Sequence, residues 1–193
     1  MRILPLRGML AVALLAATPT AADAAVSIVV GNSAGRDCFL AAELKRDTRS
    51  SLEICNRALE LDSLTKRDRA ATLVNRGIVY MQSRDLENAI ADYKSAIAMN
   101  PGLAEAHINL GIALLHRGGQ DQAAIDTLTR ALDMKPERPE VALYTRAVAY
   151  EMIGNSRAAY EDYSAAAALA PDWKEPAEQL KRFSVERRST ARG

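Results

Sequence analysis

Aromatic residues are scarce. Hydrophobic residues make up 49% of the 193-residue chain, yet aromatics only 5%. Alanine fills the difference, which suits closely packed helices better than a sheet. An excess of one charge is also missing: 25 Lys and Arg stand against 24 Asp and Glu, a net of +1. So balanced a surface has no electrostatic footprint for nucleic acid, and no nucleic-acid partner is expected. Only the tail from Lys181 is locally basic, and it reads as a solvated helix end and frayed terminus. Histidine and cysteine are down to two each. His107 and His116 lie nine residues apart on one predicted helix, so they do not share a face as ligands four apart would. There is no Gly-x-Ser-x-Gly, no phosphate-binding loop and no His-Glu-x-x-His. No catalytic residue, metal site or cofactor is therefore predicted, and an enzyme is the least favoured class.

Long apolar runs are lacking too. The best candidate is residues 8–17, GMLAVALLAA. Ten helical residues reach about 15 Å, half of a hydrocarbon core about 30 Å thick. Arg2 and Arg7 precede this run, Thr18-Pro19 breaks it, and Ala22-Asp23-Ala24 has the form of a cleavage site. Residues 1–24 thus read as a secretory signal peptide, with the periplasm of a Gram-negative bacterium as the expected destination. No cysteine closely follows the run, which argues against a lipoprotein. Cleavage would leave the charges balanced and no membrane span. The next stretch, AVSIVVG at 25–31, is β-prone and ends in Gly-Asn-Ser. It is too short for a domain. It reads as a leader that could also add to another sheet edge.

From Ser33 onward the pattern is helical. Two helices are predicted within 33–61, the second capped by Asp47 or Thr48. Thr65-Lys66-Arg67-Asp68 has the form of a capping box and opens a helix to about Gln82. Arg84-Asp85 turns the chain, Asp85 can cap a helix to Met99, and Pro101 stops it. Gly118-Gly119 and then Pro136, and Gly154-Asn155 and then Pro171, punctuate the chain in the same way. The three prolines are 35 residues apart. Two short helices, a turn and a proline, repeated at that period, describe a solenoid.

Aligned on these prolines, Leu73, Gly77, Tyr80, Ala89, Tyr93 and Ala96 match His107, Gly111, Leu114, Ala124, Leu128 and Ala131, and then Leu143, Ala147, Tyr150, Ala159, Tyr163 and Ala166. In this register the chain resembles the tetratricopeptide repeat family over residues 33–185. Arg76, His107 and Arg146 depart from the pattern, one in each unit. His107 lies at a packing position, so its core role is favoured over a ligand role. Arg76 and Arg146 are expected to lay their stems on a neighbouring helix and reach acidic groups. The resemblance implies an all-α superhelix of three good hairpins, one degenerate hairpin before them and a capping helix over 173–185 after them. The implied layout is 1–24 signal, 25–32 leader, 33–69 degenerate hairpin, 70–103, 104–139 and 140–172 repeats, and 173–193 capping helix and tail. Close approach within a hairpin is expected between Gly77 and Ala89, and between Ala147 and Ala159.

Aligned on Ala58, Cys38 and Cys55 fall on facing helices of the degenerate hairpin. An even cysteine count in an exported chain points to a disulfide; the alternative is two buried thiols. In this family the first helix of each hairpin faces a concave groove that holds a protein or peptide partner. Carried onto this chain, the groove consists of Val74, Asn75 and Ile78; Ile108, Asn109 and Ile112; and Tyr144, Thr145 and Val148. It is apolar with a polar line of Asn75, Asn109 and Thr145. Asparagine costs about 0.6 kcal/mol inside a helix relative to Ala, so its recurrence calls for a reason. Its amide can donate to and accept from the backbone of an extended segment; alternatively, it only bonds neighbouring helices. The three good repeats lack the basic groove residues of carboxylate-gripping family members, so an apolar or helical partner is expected. The alternative function is self-assembly, with the groove filled by the leader or by another copy, giving a homo-oligomer.

Overall fold

A computed structural model describes residues 2–5, 33–44, 48–60 and 64–186. The signal's apolar run, the leader at 25–31, the proposed cap Asp47, the turn residues Asp62 and Ser63, and the tail beyond Glu186 lie outside them.

The fold is an all-α solenoid. Helices α1 (Ser33–Glu43) and α2 (Thr48–Glu60) form the degenerate first hairpin. Helices α3 (Lys66–Gln82) and α4 (Leu86–Met99), α5 (Ala104–Arg117) and α6 (Asp121–Asp133), and α7 (Pro139–Met152) and α8 (Ser156–Leu169) form the three regular ones. Local chemistry sets their ends. Thr65 Oγ1 accepts from Asp68 N at 3.1 Å to cap α3, and Asp85 Oδ1 accepts from Asn88 N at 3.3 Å to cap α4. Asn155 caps α8 likewise, through Ala158 N at 3.2 Å.

Each hairpin packs on the next through its second helix: α2 on α3, α4 on α5, α6 on α7. The first helices also meet one another, α1 with α3, α3 with α5 and α5 with α7, more closely than the second helices do. The side on which neighbours crowd is the concave one, so α3, α5 and α7 line the inside of the curve.

Within a hairpin the nearest neighbour of the first helix's glycine is a large side chain of the second helix. A Cβ added to Gly77 would lie 2.4 Å from Cε1 of Tyr93, and one added to Gly111 would lie 2.5 Å from Cγ of Leu128. The large side chain of the second helix lies directly against the glycine, and its volume sets the spacing. Ala89 and Ala159 are fully buried.

The C-terminal end departs from expectation. The capping helix α9 covers only Lys174–Leu180. Trp173 still packs on Tyr144, with ring centroids 4.8 Å apart, and Leu180 and Phe183 join Tyr160 and Tyr163 over the last hairpin. After Arg182 the chain extends into a strand, β2 (Phe183–Glu186). It pairs antiparallel with β1 (Arg2–Pro5), which lies against α8; Arg2 is opposite Glu186 and Pro5 opposite Phe183. A partner at the far end of the sequence overrides the helical pattern of 181–185.

Candidate partner-binding groove

All nine expected groove residues lie on α3, α5 and α7, as the register requires, but they do not form one open strip. Val74 and Ile78 pack into a core cluster with Cys38 and Ala42 of the first hairpin. Ile108 and Ile112 belong to a second cluster with Val141 and Ala142 of the next first helix. Tyr144 and Val148 join a third with Tyr163, Trp173 and Phe183. Val148 is half-buried and the other eight are buried. Their apolar surface is largely used in holding successive first helices together.

The polar line behaves differently at its two ends. Thr145 Oγ1 donates to Val141 O at 2.8 Å, one turn back in its own helix. Asn75 is 0% exposed and Asn109 2%. Neither Nδ2 nor Oδ1 of Asn75 has a hydrogen-bond partner, and Nδ2 of Asn109 has none. A buried amide atom left without a partner costs about 1–3 kcal/mol. Bonds to neighbouring helices therefore do not account for Asn75. Anything that pairs with these amides has to reach beneath the apolar cover.

Further along the inner face, Gln82 Nε2 donates to Ala42 O at 2.8 Å and ties α3 to the end of α1. His107 lies in the core, its Nε2 3.0 Å from Pro101 O, and His116 is exposed. Tyr163 donates to Glu151 Oε2 at 2.7 Å, and Glu151 also pairs with Arg182. Burial, and then the Glu151 carboxylate, push the Tyr163 phenol far above its ordinary value, so it remains a donor. Among the described residues, no group of three or more His, Cys, Asp or Glu could hold a metal ion. No helix among them is long and apolar enough to cross a membrane.

The structure joins Cys38 to Cys55, S–S 2.07 Å, across the first hairpin. Sequence reasoning left one feature unnamed: the acidic partners of the two arginines. Arg76 bonds Asp92 and Arg146 bonds Asp162, each through two nitrogens. Each arginine also reaches back to the preceding hairpin, Arg76 to Asn56 at 2.8 Å and Arg146 to Thr129 at 3.0 Å. The available signal was co-occurrence: each arginine has an aspartate 16 residues on, whereas the middle repeat carries Leu110 and Thr127 at those places.

Known proteins share this architecture. The tetratricopeptide repeat family model matches residues 74–139. Photosystem I assembly protein Ycf3 of Prochlorococcus marinus (strain NATL2A) is 36% identical over 83 residues, 43% of this chain and 47% of that protein. Serine/threonine-protein phosphatase 5 of Mus musculus is 33% identical over 107 residues, 55% of this chain and 21% of that one. The chain thus spans about half the length of the first relative and less of the second. Among solved structures, MamA superposes with a TM-score of 0.61 at 25% identity, covering 72% of this chain and 80% of that one. A kinesin light chain protein with nearly identical TPR-like repeats, from Podosopora anserina, gives 0.62 at 15% identity over 78% and 82%, a likeness of fold alone. Residues 74–139 thus match the tetratricopeptide repeat family, and the three aligned hairpins of the chain have the fold of solved tetratricopeptide repeat structures.

Proposed function

We propose that the chain is a non-catalytic scaffold, exported to the periplasm of a Gram-negative bacterium, that holds an extended segment of a partner protein across α3, α5 and α7. One observation carries this reading: Asn75 and Asn109 occupy matching places in consecutive hairpins, and three of their amide atoms are buried without partners. A peptide backbone supplies the donors and acceptors those atoms lack. Because the residues are covered in the free protein, the partner first loosens the packing around Val74, Ile78, Ile108 and Ile112, and its own apolar side chains take over these contacts. Tetratricopeptide repeat proteins generally act as interaction scaffolds, and the assembly protein among the relatives fits that class. The Cys38–Cys55 bridge is in keeping with an oxidising compartment.

The test is a pull-down from periplasmic extract with residues 25–193 as bait and the Asn75→Ala, Asn109→Ala variant as control. A protein retained by the first and released by the second supports the groove. Affinity unchanged in the double variant removes the anchoring role, since about 1–3 kcal/mol is expected to be lost. Cell fractionation, with the mass of the recovered chain, tests export: a product beginning at Ala25 is expected, and one still carrying Met1 overturns it. The second reading is self-assembly, with the inner face occupied by the leader or by another copy.

A further inference from the structure

The strand β1 comes from the segment that the export reading removes. In the chain as it stands, residues 6–32 connect β1 to α1. These 27 residues can span about 90 Å when extended. That length lets the start of the sequence reach the far end of the solenoid, where β1 pairs with β2 and lies against α8. Removal of residues 1–24 strips β2 of its partner and leaves an open strand edge beside the cluster of Tyr160, Leu180 and Phe183.

The new N-terminus has the composition to refill this slot. Residues 25–30 read AVSIVV, β-branched and apolar. They cannot do so within one molecule. Only Gly31 and Asn32 separate them from Ser33, the first residue of α1, and two residues span about 7 Å. α1 packs on α2 and α3, whereas β2 follows the helix that caps α8, with α4 to α7 between. Each intervening helix is about 10 Å across. Ser33, where the described chain resumes, opens the first helix at one end of the stack and the slot is at the other, an arrangement suited to a second copy placed end to end.

Exposed apolar side chains follow the same division. Among the described residues, the large hydrophobic ones open to solvent are Leu40 on α1, Leu44 just after it, and Met152, Ile153 and Leu169 in the last hairpin, with 37, 57, 66, 46 and 56% exposure. Among the described residues the two middle hairpins expose none. Apolar surface confined to the two ends of a solenoid is what end-to-end contact would cover.

From these observations, and resting on the export reading, we infer that the exported chain assembles head to tail: residues 25–30 of one copy enter the slot beside β2 of the next as an added strand. In the register seen for β1, the new α-amino group at Ala25 takes the place of Arg2, opposite Glu186. A second copy repeats the step, because each retains a free leader or a free slot. The product is a ring or an open filament rather than a closed symmetric dimer. The groove residues on α3 and α5 stay outside this contact.

The test uses residues 25–193, produced directly so that it does not depend on export. One variant disables the leader, Val26→Lys with Ile28→Lys. The other disables the slot, Ser184→Pro with Val185→Pro; successive N–H groups along a strand alternate in direction, so one of these prolines removes a donor to the added strand. Circular dichroism verifies that both variants keep wild-type helical content. Light scattering of the wild-type chain is expected to show mass rising with concentration, and each variant alone is expected to stay monomeric. Mixed together, one supplies the leader and the other the slot, and a species of about twice the monomer mass is expected. A wild-type chain that stays monomeric at every concentration overturns the inference. So does a mixture that stays monomeric, or a slot variant that assembles as the wild type does. Partner capture by the groove is read in the pull-down, where failure would leave this result standing.

Discussion

Arg76 grips Asp92 through Nε at 2.7 Å and Nη2 at 2.6 Å, and its third donor reaches Asn56 of the preceding hairpin. Arg146 repeats the arrangement on Asp162 and Thr129. The guanidinium therefore ties three helices together: its own, the second helix of its hairpin and the second helix of the hairpin before. Each arginine also stands 5.8 Å from the ring of Tyr80 or Tyr150, one turn on. The hydrogen bond to Asp92 raises the Arg76 pKa despite burial, so the guanidinium stays charged.

Breaking this pair from one side is expected to hurt more than removing it entirely. Arg76→Leu leaves the largely buried Asp92 carboxylate unpaired. The arginine side chain is 22% exposed, so the loss falls below that of a fully buried pair, at about 2–3 kcal/mol. Adding Asp92→Thr copies the Leu110 and Thr127 of the middle repeat and is expected to restore most of the stability. Urea unfolding of the two singles and the double gives the coupling energy. Additive losses would show that the pair is not a unit.

Gly77 has no room for a side chain while Tyr93 lies on it. Gly77→Ala is expected to push the ring aside and lower stability by about 1–3 kcal/mol, read as a fall in the urea midpoint. The third hairpin carries Ala147 and Tyr163 at the matching places, both buried, so the fold accommodates a Cβ there. A loss near the lower end is therefore expected. An unchanged midpoint would mean that the glycine does not set the spacing.

The features legible in the sequence were those that act locally. Thr65 and Asp85 cap the helices they precede, and Pro101 follows the end of α4, because a cap or a proline works within one turn. Three aligned copies of one hairpin then fixed the fold. The remainder depends on residues far apart in the chain. Nothing near Phe183 announces that Arg2–Pro5 will pair with it, so a helical pattern at 181–185 gave the wrong element. The register places Val74, Ile78, Ile108 and Ile112 on one side of their helices. Whether that side is open depends on how tightly neighbouring first helices approach, and Cys38, Ala42, Val141 and Ala142 close it. The carboxylate each arginine would find depended on the same inter-helix spacing.

The bridge between Cys38 and Cys55 closes a loop of 17 residues in the hairpin that matches the repeat pattern least. Cys38→Ser with Cys55→Ser is expected to lower stability by about 3 kcal/mol in the chain-entropy account. The loss is expected to fall first on α1 and α2, seen as faster amide hydrogen exchange there than in α5 to α8. Thiol titration of the denatured, unreduced protein is expected to find no free thiol. Two thiols in that titration would mean that the hairpin stands without the bridge.

Asn75 separates stability from binding. Its side chain is buried with neither amide atom paired, so the folded free protein bears the cost of that amide. Asn75→Leu replaces it with an apolar group of similar size. The free protein is expected to become more stable, by about 1–3 kcal/mol, read as a higher melting temperature. A purely structural residue at a fully buried position would respond in the opposite sense. The same variant is expected to weaken capture of the groove partner, because the leucine cannot bond a peptide backbone. A gain in stability with a loss of binding identifies an amide kept for its partner. A loss of stability would place a hidden hydrogen bond on Asn75 and return it to the fold.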